Sequence, residues 1–113
     1  METEERRRKD RVDSLNLLEV SVDENEIIVN QGPGRTLNVS ESGILLETPF
    51  PIDLDSTVSL TIAVEDELIQ LSGKVVRHNV GSEDMYETGV EFLDVDESAM
   101  ETIRKLVTIF QKH

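Results

Sequence analysis

Two polar clusters hold the residue types with the most chemistry in this 113-residue chain. Arg6-Arg7-Arg8-Lys9-Asp10-Arg11 gathers five of the eleven Lys and Arg residues, and Asn38-Val39-Ser40-Glu41-Ser42-Gly43 follows about thirty positions later. Arg7 and Arg11 stand four residues apart, which is about 6 Å along a helix or about 13 Å along an extended strand. In either geometry two guanidinium forks can grip one compact anion. Guanidinium makes planar, charge-assisted, often bidentate bonds to phosphate and also stacks on a base, so lysine is no equivalent. Asn38 and Ser40 add an amide and a hydroxyl that can bond a ligand or the local backbone. Taken separately, the first cluster reads as a solvated basic arm and the second as a turn. Taken together, in a chain of net charge -13, they read as one site for an anion.

The elements that must carry these groups are mostly strands. Apolar residues alternate with a period of two at Leu18, Val20, Val22, at Val58, Leu60, Ile62, Val64, at Ile69, Leu71, Gly73, Val75 and at Tyr86, Thr88, Val90, Phe92. This is the pattern of strands with one buried face. Asp23 to Asn25, Gln31 to Gly34, Pro49 to Pro51, Glu65 to Glu67 and Gly81 to Asp84 separate them as turns, and Gln31-Gly32-Pro33-Gly34 reads as a turn because it lacks the strand-to-helix context and the lysine of a phosphate loop. Short strands on short turns favour an antiparallel sheet closed into a small barrel. Within Arg35 to Ser40, alternation places Leu37 and Val39 on one face and Thr36, Asn38 and Ser40 outward, with Asn38 and Ser40 about 7 Å apart. Gly43 is expected to supply a positive φ for the connection into the strand Ile44 to Thr48.

After Asp94 the period changes. Met100, Ile103, Leu106, Val107 and Phe110 share one face of a helix expected over about 95 to 112. Ser98 with Glu101 matches a capping box, with Asp94 and Asp96 as alternative caps. Glu101, Arg104, Lys105 and Lys112 read as its solvated face. One domain is expected at this length, with residues 1–13 as a flexible arm and 14–113 as the folded body.

Composition narrows the function. The first thirteen residues carry five charges of each sign, leaving six basic and nineteen acidic residues, or 6 - 19 = -13, on the body. Such a body repels nucleic-acid phosphates, and among one tyrosine and three phenylalanines only Phe50 is left as a stacking platform. Ser40-Glu41-Ser42-Gly43 is no nucleophile elbow, because Asn38 stands where the first glycine belongs. His78 and His113 lack partners at metal-ligand spacing, and there is no cysteine. The expectation is therefore a non-enzyme without metal or cofactor. The charged N-terminus and the lack of a long apolar run point to a cytoplasmic protein with no membrane insertion.

The joined clusters resemble the PilZ domain, the bacterial receptor module for cyclic di-GMP. That family carries RRxxxR followed by [D/N]xSxxG. Arg6, Arg7 and Arg11 match the first motif, and Asn38, Ser40 and Gly43 match the second. Gly73-Lys74-Val75-Val76-Arg77 and Gly89-Val90-Glu91-Phe92 look like the family's late strands. The resemblance implies a mostly β fold, a six-stranded antiparallel barrel with one C-terminal helix, and an arm that closes over the ligand on the outer surface. By similarity, Arg7 and Arg11 contact phosphates and guanines, Arg6 stacks on or bonds a guanine, Asn38 and Ser40 bond the guanine and nearby groups, and Gly43 shapes the turn. Arg6 is also similar to the residue type that favours an intercalated ligand pair. Asn38 departs from the frequent aspartate, and Glu41 and Asp10 add negative charge near a dianionic ligand. The function so implied is a second-messenger receptor, monomeric or weakly dimeric, acting on a downstream protein whose identity the residues do not encode. The alternative is a PilZ-like interaction adaptor that binds no nucleotide.

Overall fold

A computed structural model describes residues 17–64, 67–81 and 83–111. Arg6, Arg7 and Arg11, together with the whole expected arm, lie outside the described residues. Six strands form: β1 Leu17–Glu24, β2 Ile27–Val39, β3 Gly43–Thr48, β4 Thr57–Val64, β5 Glu67–Val80 and β6 Tyr86–Leu93. They close antiparallel in the order β1-β2-β3-β6-β5-β4, and one helix, α1 (Glu97–Gln111), follows. The small closed barrel with a C-terminal helix is the architecture expected from the alternation and the change of period, and its six strands are the number the family resemblance implies.

Burial of the inward sets holds the barrel together. Val20, Val58, Leu60, Ile62 and Val75 are fully shielded, and Leu46, Ile44, Leu71, Val90 and Phe92 join them. Each such side chain contributes about 1.5–3 kcal/mol on leaving water. The helix adds Ile103 and Leu106 to this core, with Val107, Ile109 and Phe110 packed against it. Its first turn is capped by Asp96, whose Oδ1 accepts the Ala99 N–H at 2.8 Å. Asp96, rather than Ser98, is thus the residue in capping position, and the helix begins at Glu97.

Gln31 to Gly34 is not a turn. It lies inside β2, paired with Ser21, Val20, Glu19 and Leu18 of β1. The reversal comes earlier, at Asn25 and Glu26, both with positive φ (55° and 69°), as a two-residue hairpin requires. The glycines have a packing reason instead. A Cβ on Gly32 would stand 2.8 Å from the Phe50 ring, and one on Gly34 would stand 3.0 to 3.2 Å from Val20, Leu18 and Thr48. Phe50 therefore packs against the core over Gly32 and is no exposed stacking platform.

Two strands carry an extra residue beside the functional motif. In β2 the register to β3 shifts between Thr36 and Asn38, so Leu37 is the bulged residue. In β5 the register to β6 shifts between Val75 and Arg77, so Val76 is the bulged residue. Side chains alternate strictly along a regular strand, and one inserted residue reverses the face of everything beyond it. Thr36 is accordingly buried, not outward as simple alternation requires, while Asn38 is exposed and Val39 buried.

Candidate ligand-binding site

The strand pairings place Asn38 opposite Leu45, Leu45 opposite Gly89, and Gly89 opposite Arg77. These four residues form one row across β2, β3, β6 and β5. Each step is about 4.8 Å, so the row is about 14 Å long. Above it lies an open groove of about 390 Å³ on the outer barrel surface, lined also by Ser40, Gly43 and Val76. Asn38, Ser40 and Gly43 are thus brought together at one end, as the motif spacing suggested.

The connection from β2 to β3 is wired through Ser40. Its N–H donates to the Gly43 carbonyl at 2.8 Å, and its Oγ lies 3.3 Å from the Gly43 N and 3.4 Å from the Ser42 N. Asn38 Oδ1 accepts the Val39 N–H at 2.9 Å, and among the described residues its amide NH₂ meets no partner. Both readings of this segment therefore hold at once: the polar residues build a tight turn, and they remain exposed in the groove.

Gly43 is needed for space, not for a left-handed backbone, since no described glycine has positive φ. A Cβ there would collide with the Val90 carbonyl oxygen of β6 and approach Glu91 Cα to 3.5 Å. Gly89 differs: Arg77 lies over it, and a Cβ there would stand in ordinary contact with the Arg77 Cβ and Nε, at 3.4 and 3.5 Å. The arginine side chain therefore lies along the floor of the groove, across the strand from Leu45.

Arg77, Val76, Leu45 and Gly89 are the lining residues that sequence reasoning did not assign. Alternation from Ile69, Leu71, Gly73 and Val75 would turn Arg77 inward; the bulge at Val76 turns it outward. A cation on an otherwise inward register was the available signal, because an unpaired charge is not buried without cost.

The electrostatics of the groove are milder than the acidic body suggests. Glu41, within the motif, faces Arg104 of α1 at 3.6 Å, and Glu47 of β3 pairs with Arg35 of β2 at 3.2 Å. Arg104 is thus not only part of a solvated face, as its helix position suggested. With both partners about 60% exposed, the Glu41–Arg104 pair is worth at most about 1 kcal/mol, yet it offsets a carboxylate beside the groove. Among the described residues no group of three or more His, Asp or Glu side chains is placed to hold a metal ion, and no helix is long and apolar enough to cross a membrane.

Comparison with known proteins finds the same fold. The crystal structure of the PilZ domain of CeSA from a cellulose-synthesizing bacterium superposes with a TM-score of 0.63 at 16% identity, covering 86% of this chain and 94% of that one. The PilZ domain of YcgR from Escherichia coli with c-di-GMP gives a TM-score of 0.63 at 8% identity, covering 85% of this chain and 82% of that one. At such identities the likeness is one of fold. Comparison with curated proteins finds no match. The PilZ domain family model, which describes a ligand-receptor module and not an enzyme, matches residues 5–108, and on that match across nearly its whole length the chain belongs to the PilZ domain family.

Proposed function

We propose that this domain is a cyclic di-GMP receptor. The observation that carries the reading is the row Asn38, Leu45, Gly89, Arg77 beneath an open outer groove, with the Ser40–Gly43 turn at one end and a cation at the other. It occurs in a member of a family in which the YcgR domain was solved with c-di-GMP. A flat, dianionic ligand with two guanines suits these parts: bases lie over Leu45 and Gly89, Asn38 and Ser40 bond polar edges, and Arg77 faces a phosphate or stacks on a base.

The rest of the clamp is assigned to the N-terminal arm, residues 1–13. Arg7 and Arg11 grip phosphates and guanines, Arg6 stacks on or bonds a guanine, and closure of the arm alters the surface offered to a downstream protein. Ordering such an arm costs conformational entropy, which several charged hydrogen bonds of about 1.5–3 kcal/mol each must offset. The Arg104 pairing of Glu41 supports the reading, since it moderates the repulsion a phosphate meets at the turn.

Calorimetric titration with c-di-GMP, with GTP and a linear dinucleotide as controls, tests the receptor role. Arg7→Ala and Arg11→Ala are each expected to weaken binding by about tenfold to a hundredfold while leaving thermal unfolding unchanged. Wild-type affinity in both variants removes the arm from the mechanism. Absence of binding to the unaltered protein at high micromolar ligand leaves the adaptor reading in its place.

A further inference from the structure

We propose that the free edge of β5, from His78 to Val80, takes up an extended, basic and apolar segment of another protein as an added strand. This does not depend on the nucleotide reading. β5 pairs with β4 only over Glu67–Lys74, while its pairing with β6 continues to Val80. The last bonds on the β4 side are made by Val75, whose N–H donates to the Ser56 carbonyl and whose carbonyl accepts the Asp55 N–H, both at 2.9 Å. Successive residues of a strand direct their N–H and C=O groups to opposite sides. Counting the bulge at Val76, and with the Gly81 N–H turned to the Met85 carbonyl on the β6 side, His78 and Val80 direct theirs to the free side. Among the described residues nothing meets them.

The surface beside this edge is shaped for a side chain. A groove of about 300 Å³ runs between Pro51, Ile52 and Tyr86, with Thr88 in its wall. Thr88 is fully buried, and its Oγ1 has no hydrogen-bond partner. Val80 is 79% exposed on the strand itself. An added strand presents every second side chain to such a groove and bonds the free backbone groups along the edge.

Charge selects the partner. Asp55, its side chain 82% exposed and paired across solvent with Lys74 Nζ at 3.6 Å, stands at one end of the edge, and the Glu87 carboxylate stands beside Gly81 at the other. A strand carrying lysine or arginine near both ends meets these groups favourably. A second copy of this chain, at net charge -13, meets them with repulsion.

The test uses the full chain, labelled with nitrogen-15, and a short blocked peptide of alternating lysine and valine. The expected result is amide shift changes at His78, Val80, Ile52 and Thr88. Affinity should be at least about tenfold above that of an alternating glutamate and valine peptide, and N-methylation of alternate peptide bonds should abolish it. Val80→Pro, which removes a free donor, is expected to abolish binding. Should that variant misfold, Val80→Lys is expected to weaken it by about tenfold through repulsion. No shifts at millimolar peptide, equal affinity for the two peptides, or shifts confined to Ile27–Gln31 would overturn the proposal. So would peptide-independent, concentration-dependent shifts at His78 and Val80, which assign the edge to a second copy.

Discussion

β2 and β5, the two long strands at 13 and 14 residues, both outrun their neighbours, but they are finished differently. Beside the ligand groove they are alike: each carries one bulged residue, Leu37 or Val76, and these bulges direct Asn38 and Arg77 to the two ends of one outer row. Beyond the groove they part. The overrun of β2, Ile27 to Gly34, pairs with β1 alone and exposes Ile27, Ile28 and Val29. It is nonetheless blunted: Val29 interrupts the register, the Gln31 N–H is taken by Asn30 Oδ1 at 3.0 Å, and Pro33 has no N–H. Among the described residues, the overrun of β5 has no such protection. Exposed apolar residues alone therefore do not mark a docking edge; free donors and acceptors in register do.

The sharpest way to break the comparison is to remove each extra residue. Deleting Val76 forces Arg77 toward the core or slips the strand beyond it. We expect a loss of at least about 3 kcal/mol in stability and no measurable c-di-GMP binding, read by thermal melting and calorimetry. Deleting Val29, at the blunted end of β2, is expected to cost about 1 kcal/mol and leave affinity intact. Equal effects of the two deletions would mean that the bulges do not aim the site.

Milder changes sharpen it. Arg77→Ala is expected to lower c-di-GMP affinity by about tenfold with no change in melting, because the side chain lies in an open groove and not in the core. Asn38→Asp restores a charge facing guanine N–H groups, and charge-assisted bonds are about twice as strong as neutral ones, so affinity should rise by about three- to tenfold. Unchanged affinity would show that the β2 end of the row contributes shape without a directed bond. The smallest effect belongs to Arg104→Ala. Freeing the Glu41 carboxylate should weaken binding by about two- to threefold at low salt, and the difference should vanish at about 1 M salt, where exposed charges are screened.

The inward faces of β1, β4 and most of β5 and β6 were legible because alternation in hydrophobicity is a local consequence of the strand's two-residue repeat. The helix face with Ile103 and Leu106 was legible for the same reason, with a different period. The bulges were not, because Leu37 and Val76 look like any strand residue, and only a mismatch with the partner strand makes one of them extra. Gln31-Gly32-Pro33-Gly34 misled for a related reason. Its glycines answer to Phe50 and Thr48, which are distant in sequence, while their composition is that of a turn. Half of the candidate site, Asn38, Ser40 and Gly43, was legible as a motif. Its other half, Arg77 over Gly89, was not, and neither was the pairing of Glu41 with Arg104 across the length of the chain.

By itself, the sequence determined the residue types, their charge and their periods, and with them a one-sided sheet, an amphipathic helix and the motif Asn38, Ser40 and Gly43. Those properties are local and need no partner. Tertiary structure alone decided which polar groups share a surface and which strand edge stays open. Both depend on register between strands far apart in the chain, where one inserted residue reverses every side chain beyond it.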